Sequence, residues 1–443
     1  MAVPVTRCGR CSEQKNDADP GKREQVLSPM KILHTSDWHI GRALYGRQRY
    51  VEFESFFAWL ARLLDDEEID VLLVAGDVFD NTAPSNRAQE LYYRFLCRAA
   101  ASPGRHVVVT AGNHDSPSFL EAPRELLKFL NIHVVGGAAP DPADEVLLLA
   151  DSRGDPRLIV CAVPYLRDRD IRTAEAGESV AEKERKIVAG IRAHYHGVHE
   201  TAMGLCATLK TPVPIVAMGH LFAAGGLTMD GDGVRELYIG TLLQVGTDVF
   251  PPWIDYLALG HLHIPQPVGG SPFIRYSGSP LPLGFGQRGS GKSVVIVEIS
   301  GDRKTVRTVA VPRFQELVTL KGDWSCLSRE IERLKSGGSD AWLEIVYEGE
   351  DIAGDLQARL KESVEGSGLE ILRVKNTRVL ERVLDGMDAR ETLDDLGVTE
   401  VFQRCLDAHG VPGEARAALR AAYDEILVSL SEEDPERAKE SGP

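Results

Sequence analysis

The chain has 443 residues, of which 43% are hydrophobic, and its formal net charge is −16 at pH 7. This length predicts two or three domains with a sizeable core, and the lack of any apolar run of roughly 18 residues argues against a membrane span. The acidic charge disfavours a polyanionic partner, but residues 386–443 carry 14 Asp and Glu against 6 Lys and Arg, so half of the acidic excess lies in this tail.

The first predicted segment, residues 1–29, is polar, lacks periodicity and is expected to be a disordered leader. It has no apolar stretch of the kind found in a secretory signal. Cys8 and Cys11 could bind zinc, although no second cysteine pair accompanies them. The seven cysteines are scattered over the chain, which favours a reducing compartment over a disulfide framework. We therefore expect a cytoplasmic protein.

From Met30 onward, short apolar runs typical of buried strands alternate with segments that have apolar residues at helical spacing. The predicted helices of this part are residues 51–64, 89–100, 121–130 and 180–196. The alternation is typical of βαβ units, so we predict an α/β fold around a mostly parallel sheet. Residues 313–383 have the order strand, helix, strand, helix, strand, which predicts a small separate α+β unit, and helical spacing returns after residue 401.

Five of the strand-like runs end in residues that can bind metals. In open α/β sheets, chemistry gathers where such strands end. The residues that follow these runs are Asp37 and His39, then Asp77, then Asn113, then His220, and finally His261 and His263. Glycine directly precedes Asp77, Asn113, His220 and His261, which would let the backbone turn tightly beside a metal.

This set of side chains predicts two metal ions. Carboxylate, amide and imidazole donors together favour transition metals over magnesium. Asp77 has two oxygens that could each take one ion, so we predict that it bridges them. Asp37 and His39 are two residues apart, so an extended chain would place both on one side. A single Asp or His at a strand end is usually a cap or a surface group, but the recurrence favours a two-metal site that activates a water molecule.

These motifs resemble the five signature motifs of the calcineurin-like metallophosphoesterases. The matching segments are Asp37-x-His39, Gly76-Asp77-x-x-Asp80, Gly112-Asn113-His114-Asp115, Gly219-His220 and Gly260-His261-x-His263. Within that superfamily, residues 35–41, the segment Tyr276-Ser-Gly-Ser-Pro280 and the overall length resemble the SbcD-type nuclease subunits, over roughly residues 30–430. These subunits are bacterial relatives of the archaeal and eukaryotic break-repair nuclease.

The resemblance implies a four-layer core of two sheets flanked by helices, and two manganese ions. One ion would be held by Asp37, His39, Asp77 and His263, and the other by Asp77, Asn113, His220 and His261. It also implies 3′–5′ exonuclease action on double-stranded DNA ends and endonuclease action on single strands and hairpins, in DNA repair, recombination and replication at the nucleoid.

His114 directly follows the metal-binding candidate Asn113, so it should point into the site without binding a metal. A cationic imidazole there could protonate the leaving 3′ oxygen of the substrate. We expect Asp80 to orient His114 and to keep it protonated. The alternative is that His114 only caps the next helix.

The resemblance also predicts domains and partners. The expected boundaries are residues 30–311 for the nuclease domain, 312–385 for an α+β unit that caps DNA, 386–430 for a helical segment that binds an SMC-like ATPase of the SbcC type, and 431–443 for a disordered tail. The family forms homodimers through helices of the nuclease domain. The apolar candidates for that contact, for which core burial is the alternative, are Phe53, Phe56, Phe57, Tyr92 and Tyr93.

Several arginines follow the first two motifs, where contact with DNA phosphates would be independent of sequence. These are Arg42, Arg47, Arg49 and Arg87, with Arg94 further along, and an ordinary solvated surface is the alternative. Residues 286–293 fit the Walker A pattern, but a strand-like run follows where a nucleotide site needs a helix, so we predict a hairpin turn and no ATP bound by this chain.

Two other functions compete with a DNA nuclease. A small-molecule or cyclic-nucleotide phosphodiesterase would use the same metals, but roughly 130 residues after the core argue against it. A non-catalytic scaffold for the ATPase is disfavoured, because every predicted ligand and the predicted acid are present.

Overall fold

A computed structural model describes residues 29–173, 175, 177–223, 226, 245–287, 291–349, 353–376 and scattered positions between 402 and 423. The predicted leader and tail, together with most of the predicted partner-binding segment, lie outside the described residues.

The described part of the chain contains long alternations of strands and helices. The helices are α1 (Tyr50–Asp66), α2 (Asn86–Ala99), α3 (Pro117–Glu121), α4 (Arg124–Lys128), α5 (Asp168–Ile171), α6 (Val180–Thr208), α7 (Trp324–Ser336) and α8 (Ala353–Val364). The strands are β1 (Met30–Thr35), β2 (Ala43–Leu44), β3 (Arg47–Gln48), β4 (Val71–Ala75), β5 (His106–Thr110), β6 (Ile132–Val135), β7 (Val146–Ala150), β8 (Pro156–Ala162), β9 (Ile215–His220), β10 (Tyr256–Gly260), β11 (Gln266–Val268), β12 (Ser271–Tyr276), β13 (Ser293–Ser300), β14 (Arg303–Ala310), β15 (Leu317–Gly322), β16 (Trp342–Tyr347) and β17 (Glu370–Asn376).

Two six-stranded sheets form the centre of the fold. The first has the order β14–β13–β1–β4–β5–β6, in which β1, β4, β5 and β6 are parallel neighbours. The second has the order β11–β12–β10–β9–β8–β7, in which β12, β10, β9 and β8 are parallel neighbours. Side chains from both sheets, including Leu73, Val108, Met218 and Ala258, form one fully buried layer between them. This burial on both faces explains why the strands are continuous apolar runs.

Helices cover the outer face of each sheet. On the first sheet, α1 and α2 pack through a cluster that includes Phe56, Phe95 and the fully buried Trp38. On the second sheet, α6 packs through Ile191, Tyr195 and Val198. The predicted four-layer α/β architecture is therefore confirmed. Among the described residues, no helix is both long and apolar enough to cross a bilayer.

The aromatic candidates for a dimer surface belong mostly to this core. Phe53, Phe56, Phe57 and Tyr92 are no more than 6% exposed, and Tyr93 is half-buried. Core burial, the alternative that the sequence left open, therefore holds for the first four side chains, because they lie on the inner faces of α1 and α2.

Two local predictions differ from the structure. The single helix expected at 121–130 is two short helices, α3 and α4, because Pro123 between them cannot donate the backbone hydrogen bond that would continue a helix. The helix expected at 180–196 continues to Thr208. The strand expected after the Walker-like pattern is confirmed as β13, which begins at Ser293.

The segment after β14 forms a small three-stranded parallel sheet with the order β15–β16–β17, packed against α7 and α8. All five predicted elements of 313–383 are present. The hairpin of β2 and β3 contacts this sheet through two polar pairs. Arg47 Nε lies 3.1 Å from a carboxylate oxygen of Glu370, and Arg373 donates to the hydroxyl of Tyr45 over 2.6 Å.

Candidate metal centre

The carboxyl ends of β1, β4, β5, β9 and β10 bring all seven predicted ligands together, although they are spread over more than 220 residues of sequence. Hydrogen bonds join the loops that carry them: Asp37 N–H donates to Gly76 O over 3.0 Å, and His220 Nδ1 lies 3.0 Å from Ala75 O. All of the seven except the partly buried Asn113 are buried. The site therefore lies where the two sheets meet.

The first group of predicted ligands consists of Asp37, His39, Asp77 and His263. One ligand atom from each of them lies within 4.8 Å of the others. The Nε2 atoms of His39 and His263 are 3.3 Å apart, and Nε2 of His39 is 3.6 Å from Oδ2 of Asp77. Donor atoms of two imidazoles thus converge on one point beside two carboxylates.

The second group lies on the other side of Asp77. Oδ1 of Asn113 is 3.1 Å from Nε2 of His220 and 3.1 Å from Nδ1 of His261. Oδ2 of Asp77 is 3.3 Å from Nε2 of His220. The carboxylate of Asp77 therefore stands between the two groups. Buried imidazoles and carboxylates that face one another at these distances fit divalent metal ions, with hard oxygen and borderline nitrogen donors in one shell.

The backbone at four of these ligands lies in the left-handed region, with φ of 53° at Asp37, 48° at His39, 49° at Asp77 and 101° at His261. Non-glycine residues rarely adopt such values, which cost about 1–3 kcal/mol each and cluster at functional sites. The expectation that Asp37 and His39 share an extended segment is therefore wrong. Their side chains converge because the loop turns, with His39 N–H donating to Asp77 O over 3.0 Å.

Two of the glycines that precede ligands are required by close approach of the backbone. A Cβ atom on Gly112 would lie 2.1 Å from Oδ1 of Asp77, and one on Gly260 would lie 1.8 Å from Ala75 O. Neither glycine has a positive φ. The predicted tight turn is thus only part of the reason, because these positions also leave no room for a side chain.

Burial and neighbouring charges shift the pKa values of the centre in different directions. Burial raises the pKa of Asp37 to about 7. Burial lowers the pKa of His261 to about 3, and the neighbouring His220 lowers it further. Burial also opposes charge on His220, yet the adjacent Asp77 carboxylate raises its pKa to about 9. A bound cation would displace the protons of Asp37 and His220, because metal ligands bind as carboxylate and neutral imidazole.

His114 lies at the edge of the centre and is partly buried. Its backbone N–H donates to Oδ1 of Asp77 over 2.9 Å, and the Nδ1 atom of its imidazole lies 2.8 Å from the main-chain oxygen of Asp80. The Asp80 carboxylate instead lies 3.3 Å from Nδ1 of His39 and 3.3 Å from Arg42. The predicted contact is therefore corrected only in its atoms: Asp80 contacts His114 most closely through its main-chain oxygen, while its carboxylate, still within 4.8 Å of a His114 nitrogen, lies nearer to two other nitrogen donors.

Four of the five arginines that were expected to contact DNA differ in their surroundings. Arg49 is only 2% exposed, pairs with both oxygens of Glu52 at 2.7 and 2.8 Å, and donates to Pro282 O. Its assignment to DNA is corrected, since every side of its guanidinium faces protein. Arg42 is mostly buried against Asp80, whereas Arg47 and Arg87 are half-exposed.

Sequence reasoning missed the supporting role of one side chain. Asp115 is fully buried and accepts from the N–H groups of Val78, Phe79 and Gly112 at 3.1, 2.9 and 2.8 Å. It thereby ties the loop of Asp77 to the loop of Asn113. Its place directly after His114 is the signal that could have indicated this role.

Comparison with known proteins agrees with this geometry. The calcineurin-like phosphoesterase family matches residues 30–265, and the family described as type 5 capsule protein repressor C-terminal domain matches residues 313–410. The SbcD subunit of nuclease SbcCD from Escherichia coli strain K12 is 37% identical over 408 residues, which cover 91% of this chain and 99% of that protein. The SbcD subunit from Rhodobacter capsulatus is 39% identical over 290 residues, which cover 64% of this chain and 70% of that protein. The SbcD subunit from Bacillus subtilis is 32% identical over 321 residues, which cover 71% of this chain and 78% of that protein. This chain is therefore a calcineurin-like phosphoesterase that belongs to the family of SbcD nuclease subunits.

Proposed function

We propose that this chain hydrolyses DNA phosphodiester bonds with two Mn²⁺ ions. The observation that carries the proposal is the position of the Asp77 carboxylate between two groups of buried ligands, 3.6 Å from His39 and 3.3 Å from His220. A shared carboxylate of this kind is what a pair of closely spaced ions requires. The mixture of imidazole and oxygen donors favours manganese over magnesium.

In this proposal, each ion has its own ligands in addition to Asp77. Asp37, His39 and His263 would hold the first ion, and Asn113, His220 and His261 would hold the second. When bound, the pair lowers the pKa of a water molecule and neutralises charge on the phosphoryl oxygens. The protein's contribution is to bury the ligands and to hold their strained backbone.

His114 would supply the proton for the leaving 3′ oxygen. A main-chain carbonyl can only accept, so the contact with Asp80 O assigns one proton to Nδ1 of His114. The second proton of the imidazolium is then on Nε2, on the opposite side of the ring. That proton is the one available to the substrate. Such general acid catalysis typically contributes a factor of about 10²–10⁴.

The substrates in this proposal are double-stranded DNA ends, for 3′–5′ exonuclease action, and single strands or hairpins, for endonuclease action. Arg47 and Arg87 are exposed enough to meet phosphates, and Arg42 borders the centre beside Asp80. The unit at 312–385 would cap the DNA. It is joined to the β2–β3 hairpin that follows the first motif by the Arg47–Glu370 and Arg373–Tyr45 contacts, which supports a role close to the substrate.

The partners belong to the proposal as well. The relatives are named as subunits of SbcCD. We infer that this chain acts with an SMC-like ATPase of the SbcC type, bound through residues 386–430, and as a homodimer through its nuclease domain, residues 30–311.

A nuclease assay tests the proposal. Linear duplex DNA and a DNA hairpin are incubated with the metal-free chain, with and without Mn²⁺, and with the Asp77→Asn variant. We expect Mn²⁺-dependent degradation by the unmodified chain and its loss in the variant. Hydrolysis of a cyclic nucleotide without cleavage of either DNA would favour the alternative, a small-molecule phosphodiesterase.

A further inference from the structure

Lys292 places a buried ammonium group beside the metal centre. It is the lysine of the Walker-like pattern, yet it is only 7% exposed. Its Nζ donates to the main-chain oxygen of His263 over 3.0 Å, to the hydroxyl of Ser279 over 2.8 Å and to Oε1 of Gln287 over 2.7 Å. The lysine therefore holds the backbone of a predicted ligand.

A second contact runs to another predicted ligand from the same loop, which connects β12 to β13 and contains both Ser277 and Lys292. The hydroxyl of Ser277 is 2.8 Å from the hydroxyl of Ser36, which donates to Oδ2 of Asp37 over 2.5 Å. Both serines are fully buried. The other carboxylate oxygen of Asp37, Oδ1, accepts from His261 N–H over 2.9 Å. Both oxygens of this carboxylate are thereby oriented by protein donors.

The turn formed by Ser277, Gly278 and Ser279 is packed tightly against the backbone of His263. Gly278 has a φ of 72°, and a Cβ atom there would lie 2.8 Å from His263 O and 2.7 Å from Pro265 N. Ser279 N–H also donates to His263 O over 3.3 Å. Because no side chain fits between them, a shift of this loop would move His263 with it.

Both lines of contact end on the first group of ligands. Lys292 reaches His263, and Ser277 reaches Asp37 through Ser36. In the second group, His220 is oriented by a different part of the protein, since its Nδ1 lies 3.0 Å from Ala75 O at the end of β4. The support from this loop is therefore directed at one of the two ions.

We propose that Lys292 and Ser277 are positioning residues that set the affinity of the first metal ion and leave the second nearly unchanged. The inference rests on the proposed function, because it assumes the ligand groups given there. Groups that orient metal ligands typically change metal affinity by a factor of about 10–100 when they are removed. In Lys292→Met the side chain keeps its approximate length and loses all three donors.

The test is calorimetric titration of Mn²⁺ into the metal-free full-length chain, with elemental analysis of the loaded protein. Asp37→Asn identifies the binding step that belongs to the first ion. Lys292→Met should weaken that step about 10- to 100-fold, and Ser277→Ala should weaken the same step by a smaller factor. The other step should stay nearly unchanged. Lys292→Met should also lower the thermal stability of the metal-free chain, because it removes three buried hydrogen bonds.

Lys304→Met is the matched control. Lys304 lies on β14, where its Nζ is 3.1 Å from the Asp255 carboxylate, so the substitution also removes a paired ammonium from the first sheet. Both Mn²⁺ steps should be unchanged in this variant.

The outcomes separate the two proposals. If Asp37→Asn leaves both steps intact, the ligand assignment of the proposed function is wrong. If Asp37→Asn removes one step while Lys292→Met and Ser277→Ala leave both unchanged, or weaken both equally, only the positioning role is overturned. Should Lys292→Met fail to fold, Ser277→Ala decides, because it removes one hydroxyl and adds no volume.

Discussion

The Asp80 carboxylate lies 3.3 Å from Nδ1 of His39, the side of the imidazole opposite the nitrogen that faces His263. The negative charge of the carboxylate favours a proton on Nδ1 of His39, which leaves Nε2, the nitrogen that faces the ligand group, free to bind a metal. The same residue contacts His114 through its main-chain oxygen. Asp80 therefore lies beside a predicted metal ligand with its side chain and contacts the proposed acid with its backbone.

Asp80→Asn should weaken metal binding at the first group by a factor of about 10 or more, since the amide is a weaker partner for His39. The backbone contact to His114 remains in this variant. Turnover should then recover when Mn²⁺ is raised, which nuclease rates measured over a range of Mn²⁺ concentrations will show. A rate that stays low at saturating metal would instead place the carboxylate in the proton transfer.

His114→Ala should keep both metal ions and lose turnover by a factor of about 10²–10⁴, because it removes the proposed proton donor and none of the seven ligands. Elemental analysis and DNA cleavage at saturating Mn²⁺ measure the two effects separately. Loss of a metal ion in this variant would make His114 a ligand.

His34 should make the fold sensitive to acid. It is fully buried with Nδ1 2.9 Å from the Tyr256 hydroxyl, and burial lowers its pKa from 6.5 to about 3. Below pH 6.5 the unfolded chain binds a proton that the folded chain does not, so stability falls as the pH drops. The contribution of this one group between pH 7 and pH 5 is about 2 kcal/mol.

Urea unfolding of the metal-free chain at pH 7 and pH 5 measures this effect. His34→Gln should reduce the difference in unfolding free energy between the two pH values, whereas His196→Gln, at an exposed position of α6, should not. An equal pH dependence in the unmodified chain and in His34→Gln would contradict the prediction.

Arg49→Met should destabilise the fold by about 3–5 kcal/mol, because it leaves the buried Glu52 carboxylate without its bidentate partner. Arg87→Met is the control, since it breaks a half-exposed pair with Glu54 and should cost no more than about 1 kcal/mol. Chemical unfolding compares the two variants. Similar stabilities for both would show that the Arg49 pair is not the anchor described above.

Arg47→Ala and Arg87→Ala should each make the plot of the logarithm of the DNA-binding constant against the logarithm of salt concentration less steep by about one unit of slope. The reason is that each variant removes a cation proposed to contact a phosphate. The control is Arg153→Ala. Arg153 is exposed in the turn before β8, at the amino end of that strand and therefore away from the predicted ligands. Binding measured over a range of salt concentrations gives the slopes. Unchanged slopes for Arg47 and Arg87 would leave these residues on an ordinary solvated surface.

Much of this protein was open to prediction from local sequence. Buried strands are apolar runs, and amphipathic helices have their own spacing, so the alternation that leads to two sheets and outer helices is visible residue by residue. The ligands could be named because each follows a strand end, and parallel strands place their carboxyl ends on one edge. The small unit after residue 312 could also be predicted, since the apolar residues of its five elements have the spacing typical of strands and helices.

Local sequence patterns therefore indicate which residues could bind metal and at which end of the strands they gather. The support of those residues depends on packing: the Asp80 carboxylate lies beside His39, Arg49 pairs with the buried Glu52, and Lys292 donates to the backbone of His263. None of these contacts is visible locally, because a side chain's direction depends on the donors and acceptors around it. Here those groups come from loops and strands far apart in the chain, so no local pattern records the pairing.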